Sequence, residues 1–89
     1  MGTNPRVRPQ RLAEKLRYIR ASLNLTQDEL LRRLEIESLT TQSKISEFES
    51  GKREPSLLIL LQYSRLAGIH MEDLVDDEAD LPAKLKPKI

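Results

Sequence analysis

Residues 40–52 read TTQSKISEFESGK, and as a helix from Gln42 to Ser50 they hold only two strongly apolar residues, Ile45 and Phe48. At about 100° per residue those two share one side. Ser43, Ser46 and Glu47 face the opposite way, with Gln42 and Lys44 on the flanks. A carboxamide, two hydroxyls, an ammonium and a carboxylate are thus presented together, a set that donates and accepts hydrogen bonds. The plain alternative is a solvated surface helix. Catalysis has little to draw on. The chain has no cysteine and one histidine, His70, so it lacks a thiolate metal site and has no second histidine for a metal pair. His70 itself fits an exposed or N-cap-like position. The composition argues against an enzyme, and no cofactor or metal is expected.

The elements that must position those side chains belong to a small unit. At 89 residues, with 38% hydrophobic and 33% charged residues, one domain is expected. A chain of this size buries a modest share of its surface, which makes self-association a natural source of further stability. No run of 18 apolar residues and no signal-peptide core occurs, so nothing directs the chain to a membrane. The net charge of +1 hides an asymmetry: residues 1–53 carry 11 Lys/Arg and 7 Asp/Glu, whereas residues 54–89 carry 4 and 7. A basic front half suits a surface turned towards a polyanion.

Residues 1–9 (MGTNPRVRP) read as a basic irregular arm. A first helix is expected from about Gln10 to Leu23, with Leu12, Leu16, Ile19 and Leu23 at helical spacing. TQDE at 26–29 is a capping-box pattern, with Thr26 as N-cap and Glu29 reaching back, and opens a second helix to about Leu34. EIESLT at 35–40 connects it to the polar helix, for which Thr41 is the N-cap and Gly51 the terminating residue. Pro55 is expected in the first turn of a fourth helix that ends at Gly68. A short fifth helix covers Met71 to Val75. The core is expected from Leu16, Ile19, Leu30, Leu34, Leu57, Leu60 and Leu61. The reading is all-α, a compact five-helix domain at 10–76, followed by an acidic and then Lys/Pro-containing tail at 77–89 that is unstructured or loosely docked.

This order of parts, LTQDEL followed by TTQSKISEFESGKREPS and closing on AGIHMEDLV, resembles the phage-repressor type of helix-turn-helix proteins, the Cro and lambda-repressor-like (xenobiotic-response-element type) family. The likeness covers about residues 12–76 and implies a helix-turn-helix formed by the second and third helices. In that motif the second helix of the pair enters the DNA major groove and the first crosses the backbone. The resemblance implies base contacts from Gln42, Ser43, Lys44 and Glu47. Gln pairs with adenine, Lys with guanine, Ser with either, and Glu accepts from cytosine N4. Lys44 has a second use as a phosphate contact, and Glu47 as the helix partner of a nearby basic residue. Phosphate contacts are implied for Gln27, Thr41, Lys52 and Arg53. Arg20 and Glu49 match a salt bridge that ties the first helix to the third. The arm, with Arg6, Arg8 and Arg11, is a candidate for an adjacent minor groove.

Two departures stand out. Leu34 and Ile45 are eleven residues apart where the family spacing is about seven, so EIESLT carries an insertion of about four residues, with Glu35 in the usual glycine place. A surface bulge is the expected outcome, since Glu35 and Glu37 are poor neighbours for phosphate. The fourth helix, SLLILLQYSRLAG, is apolar at Leu58, Ile59 and Leu66, positions expected to be wet, and should be covered. The available covers are the chain's own Val7, Leu81 and Leu85, or a second copy in a homodimer that uses the last two helices and the tail. The implied function is sequence-specific binding of double-stranded DNA at a palindromic operator by a transcriptional regulator, acting as a repressor in a bacterial or phage cytoplasm. The competing reading is an antitoxin or other interaction module that binds a protein partner through its C-terminal segment, with DNA binding autoregulatory.

Overall fold

The computed structural model describes residues 9–82 and 85. Five helices follow one another: α1 (Leu12–Ser22), α2 (Gln27–Arg33), α3 (Gln42–Ser50), α4 (Leu57–Ala67) and α5 (Met71–Val75). No strand occurs among the described residues. α1 packs against α3 and α5, α2 against α3, and α4 against α5. The protein is all-α.

Local chemistry sets most helix ends. Thr26 Oγ accepts from the Glu29 amide at 3.0 Å while the Glu29 carboxylate accepts from the Thr26 amide at 2.8 Å, closing the capping box of α2. Thr41 is the N-cap residue of α3, without a side-chain cap bond. Gly51 and Gly68 end α3 and α4 at φ 80° and 71°, the left-handed conformation that glycine adopts without steric cost. Glu35 holds the same conformation after α2, at φ 57°, where a side chain costs roughly 1–2 kcal/mol.

The core gathers Leu12, Leu16, Ile19, Leu30, Leu31, Leu34, Ile36, Ile45, Phe48, Ile59, Leu60, Tyr63, Leu66, Ala67 and Leu74. Burying an aliphatic or aromatic side chain of this size contributes about 1.5–3 kcal/mol. α4 departs from the expected register. Leu57 is 74% exposed and Leu61 only half-buried, whereas Ile59 and Leu66, expected to be wet, are buried. The physical reason is that Tyr63 and Ala67, both fully buried, turn another stripe inward than the one through Leu57 and Leu61; the helix itself is bordered by Ser56, whose Oγ accepts from the Ile59 amide at 3.4 Å, and not by Pro55, which lies buried before it. The inward stripe is then Ile59/Leu60, Tyr63 and Leu66/Ala67, spaced by three and four residues. Leu57 and Leu58 overhang the core.

The insertion before α3 does bulge, but from an anchor. Ile36 is fully buried, and its carbonyl accepts from the amides of Leu39 at 2.8 Å and Thr40 at 3.0 Å. Those bonds close residues 36–40 into a turn whose tip exposes Leu39.

The segment read as a tail is docked at its start. The Asp77 carboxylate accepts from the amides of Gln10 at 2.8 Å and Arg11 at 3.0 Å, so it caps the beginning of α1, which has no cap from its own side chains. Those two backbone bonds pull the Asp77 pKa below the usual carboxylate value. Arg11, read as part of the arm, donates to the Asp77 carbonyl and pairs with Glu14 and Asp80. Lys15 was no part of the expected core, yet it is buried; its Nζ donates to the carbonyls of Asp73, Asp76 and Ala79 at 2.7, 2.9 and 2.8 Å. Leu81 and Leu85 lie partly buried against the core.

Candidate nucleic-acid interface

α3 is anchored by buried Ile45, Phe48 and Glu49, and nothing else in it is fully inside. Its first turn, Gln42, Ser43 and Lys44, is exposed together with Thr41. The Thr41 and Ser43 hydroxyls lie 3.4 Å apart. The sequence therefore folds locally into a helix with two apolar anchors on one side and a polar, hydrogen-bonding end turned outward.

The other end of α3 is clamped to α1. The Glu49 carboxylate is buried, and Arg20 binds it twice, Nε to Oε2 at 2.7 Å and Nη2 to Oε1 at 2.9 Å. That bond raises the Arg20 guanidinium further above its already high pKa. A third Arg20 nitrogen donates to the Leu25 carbonyl at 3.1 Å, and Arg17 donates to the backbone carbonyl of Glu49. Two cations at the C-terminal end of α3 complement the helix dipole as well as the buried charge.

From that clamp a line of hydrogen bonds runs to the surface. Gln27, the first residue of α2, donates through Nε2 to Glu49 Oε1 at 3.2 Å, and its Oε1 accepts from Gln42 Nε2 at 2.8 Å. Residues implied separately as a phosphate contact, a base contact and a salt bridge are thus joined in one network. Arg53 Nε binds Glu47 Oε1 at 2.9 Å, so the structure supplies the helix partner weighed for Glu47. The amides of Lys52 and Arg53 donate to the Glu47 carbonyl at 3.0 and 3.3 Å, which folds the loop after Gly51 back over the last turn of α3. Both side chains are exposed.

Arg6 and Arg8 lie outside the described residues. Pro9, which follows them, lines a groove with Phe48, Gly51 and Arg53, so the chain enters the domain beside the α3–α4 loop. Sequence reasoning missed Arg17 and the Gln27–Gln42 link. The spacing of Arg17 and Arg20, three apart on one face of α1, was the available signal for the first; the second depends on how α2 crosses α3 and left no signal. Among the described residues no cluster of His, Asp or Glu is arranged to hold a metal ion, and no helix is long and apolar enough to cross a membrane.

The geometry is that of a helix-turn-helix: a capped helix, a connection, and a second helix with a polar exposed face. The helix-turn-helix family matches residues 16–74. The chain is also similar to an uncharacterised HTH-type transcriptional regulator of Methanocaldococcus jannaschii, 35% identical over 69 residues, which span 78% of this chain and 98% of that protein. No solved structure matches. The chain belongs to the helix-turn-helix family of Cro and lambda-repressor type, a family of DNA-binding transcriptional regulators and not of enzymes.

Proposed function

We propose that this protein is a sequence-specific repressor that reads double-stranded DNA with the exposed first turn of α3. One observation carries the reading: Ile45 and Phe48 hold α3 by one narrow side, so Gln42, Ser43 and Lys44 project together from a rigid element. Glu47 completes the base-facing set. The first turn of α2, with Gln27 at its start, and the loop bearing Lys52 and Arg53 flank that end and supply phosphate contacts together with Thr41. Arg6 and Arg8 precede a residue that sits beside the same loop, which supports a minor-groove role for the arm.

The repressor acts as a homodimer on a palindromic site, since two-fold symmetry matches two half-sites one turn apart. Leu57 and Leu58, 74% and 62% exposed, and Val75 at the end of α5 are apolar side chains left at the surface for a second copy. A mass that stays at one chain across the micromolar range in light scattering would count against the dimer. The start of the C-terminal segment is already engaged by Gln10, Arg11 and Lys15, which bond to residues 73–79, and this favours the dimer over a protein partner there. The similar protein is archaeal, so the likeness does not tie the source to bacteria or phage.

Selection from a random duplex pool, followed by affinity at two salt concentrations, tests the function. The expected result is a palindromic site preferred over scrambled DNA by about 10³-fold or more, with affinity falling as salt rises. Weak, uniform binding would reject base reading by α3.

A further inference from the structure

We infer that Asp77, an acidic residue, is a positioning residue for DNA binding: by clasping the start of α1 it fixes the point at which the basic arm leaves the domain, and so aims Arg6 and Arg8 at DNA bound over α3. The inference rests on the reading of that arm as a DNA contact.

The family match covers residues 16–74, so Asp77 and the residues it holds lie outside the shared domain. α1 begins without help from its own side chains, since Arg11, its N-cap residue, makes no side-chain cap bond. The first amides of a helix have no partner within it. Here the Gln10 amide donates to Asp77 Oδ2 at 2.8 Å and the Arg11 amide to Oδ1 at 3.0 Å. Each carboxylate oxygen thus takes one of two adjacent N–H groups, which fixes orientation as well as distance. The bonds are charge-assisted, and the carboxylate complements the positive end of the helix dipole.

Asp77 can hold the entry to α1 because it is itself held. The buried Lys15 ammonium bonds the carbonyls of Asp76 and Ala79, on either side of it, at 2.9 and 2.8 Å. The Arg11 guanidinium bonds the carbonyl of Asp77 at 2.9 Å.

One residue back from the clasp is Pro9, which lines a groove with Phe48, Gly51 and Arg53. Phe48 anchors α3, and Arg53 is a proposed phosphate contact. Proline has its φ fixed near −65°, roughly, so little freedom remains at this step. Arg8 and Arg6 follow at one and three residues, within about 11 Å of extended chain. The arm therefore starts from a root that Asp77 sets beside the α3–α4 loop. An arm without a fixed root would lose more conformational freedom on binding.

The inference runs against simple electrostatics, in which loss of a carboxylate favours a polyanion. Selected and scrambled duplexes are titrated with the whole chain at two salt concentrations. Arg6→Gln combined with Arg8→Gln should weaken binding and make the slope of log K against log salt shallower by up to about 2, at roughly 0.9 per phosphate. Asp77→Ala should weaken both duplexes severalfold and make the slope shallower too, although it removes a negative charge. Added to the arginine pair, it should cost little more, since both changes act through the arm. Melting checks that Asp77→Ala is folded. If it is not, Asp77→Asn keeps one acceptor for the two amides and should give a smaller loss of the same kind. Unchanged or tighter binding by a folded Asp77 variant, or a loss that adds in full to that of the arginine pair, overturns the positioning role and leaves the arm as a DNA contact. If the arginine pair alters neither affinity nor slope, the arm does not touch DNA, and the inference falls with that reading.

Discussion

Among the described residues two charged side chains are buried, and their surroundings differ. Lys15 gives its three donors to backbone carbonyls of α5 and the segment behind it. Nothing in that arrangement leads outward: the ammonium joins two parts of the chain. Glu49 also ties two helices together, through Arg20, but one of its oxygens additionally receives Gln27, and Gln27 receives Gln42 at the surface. Both sites follow the rule that a buried charge needs full hydrogen-bond satisfaction. The lesson lies in the choice of partner. Backbone acceptors make a buried charge purely architectural, whereas side-chain amides have an orientation of their own and can carry its polarity to the exposed end of α3.

The largest expected effect separates the two sites at their weakest point. Arg20→Met leaves the Glu49 carboxylate buried without its cation and should lower stability by about 3–5 kcal/mol in chemical denaturation. Lys15→Met strands no charge, only carbonyls that lose charge-assisted bonds, and should cost about 2–3 kcal/mol. The contrast is sharpened by reading base preference in the same variant: Lys15→Met should leave it unchanged, and a shifted preference would break the distinction drawn between the sites.

Thr26→Ala removes the side-chain cap at the start of α2, beside Gln27, and should cost about 1 kcal/mol in the same assay. Glu35→Gly relieves a left-handed side chain at the end of α2, offset by the greater freedom of glycine in the unfolded chain, and should raise stability by no more than about 1 kcal/mol. Glu47→Ala releases Arg53 from its 2.9 Å partner and removes a negative charge from the side proposed to face DNA. It should strengthen binding to scrambled duplexes and narrow the preference for the selected site, an effect to be read by titration.

Acidification adds a test of the Lys15 side of the molecule. Asp77 has a folded-state pKa below its unfolded value because the Gln10 and Arg11 amides bond its ionised form. Its contribution is therefore present above the unfolded carboxylate pKa of about 4 and is lost as the pH falls through the lower folded value. Asp77→Asn should flatten the loss of stability below about pH 4 without altering base preference. An acid limb as steep as that of the wild type would remove Asp77 from the linkage.

Much of the chain was legible because the signals were local. The capping box at Thr26 and Glu29, the left-handed glycines at 51 and 68, and the two-anchor pattern of Ile45 and Phe48 depend on residues within a turn or two of one another. Together with the helical spacing of Leu12, Leu16 and Ile19 in α1, these signals disclosed most of the helices and the polar face of α3, and the eleven-residue gap from Leu34 to Ile45 disclosed the insertion. Three features were decided only by the tertiary structure. The inward stripe of α4 depends on what Tyr63 and Ala67 meet across the core, so Leu57 was assigned to the core and Ile59 to the outer face. The burial of Lys15 requires the ends of α5 to arrive above α1, some 60 residues later in the chain. The line from Glu49 through Gln27 to Gln42 joins side chains 22 and 15 residues apart. Hydrogen-bond partners at such separations are chosen by how helices cross, and no local pattern of residues encodes a crossing.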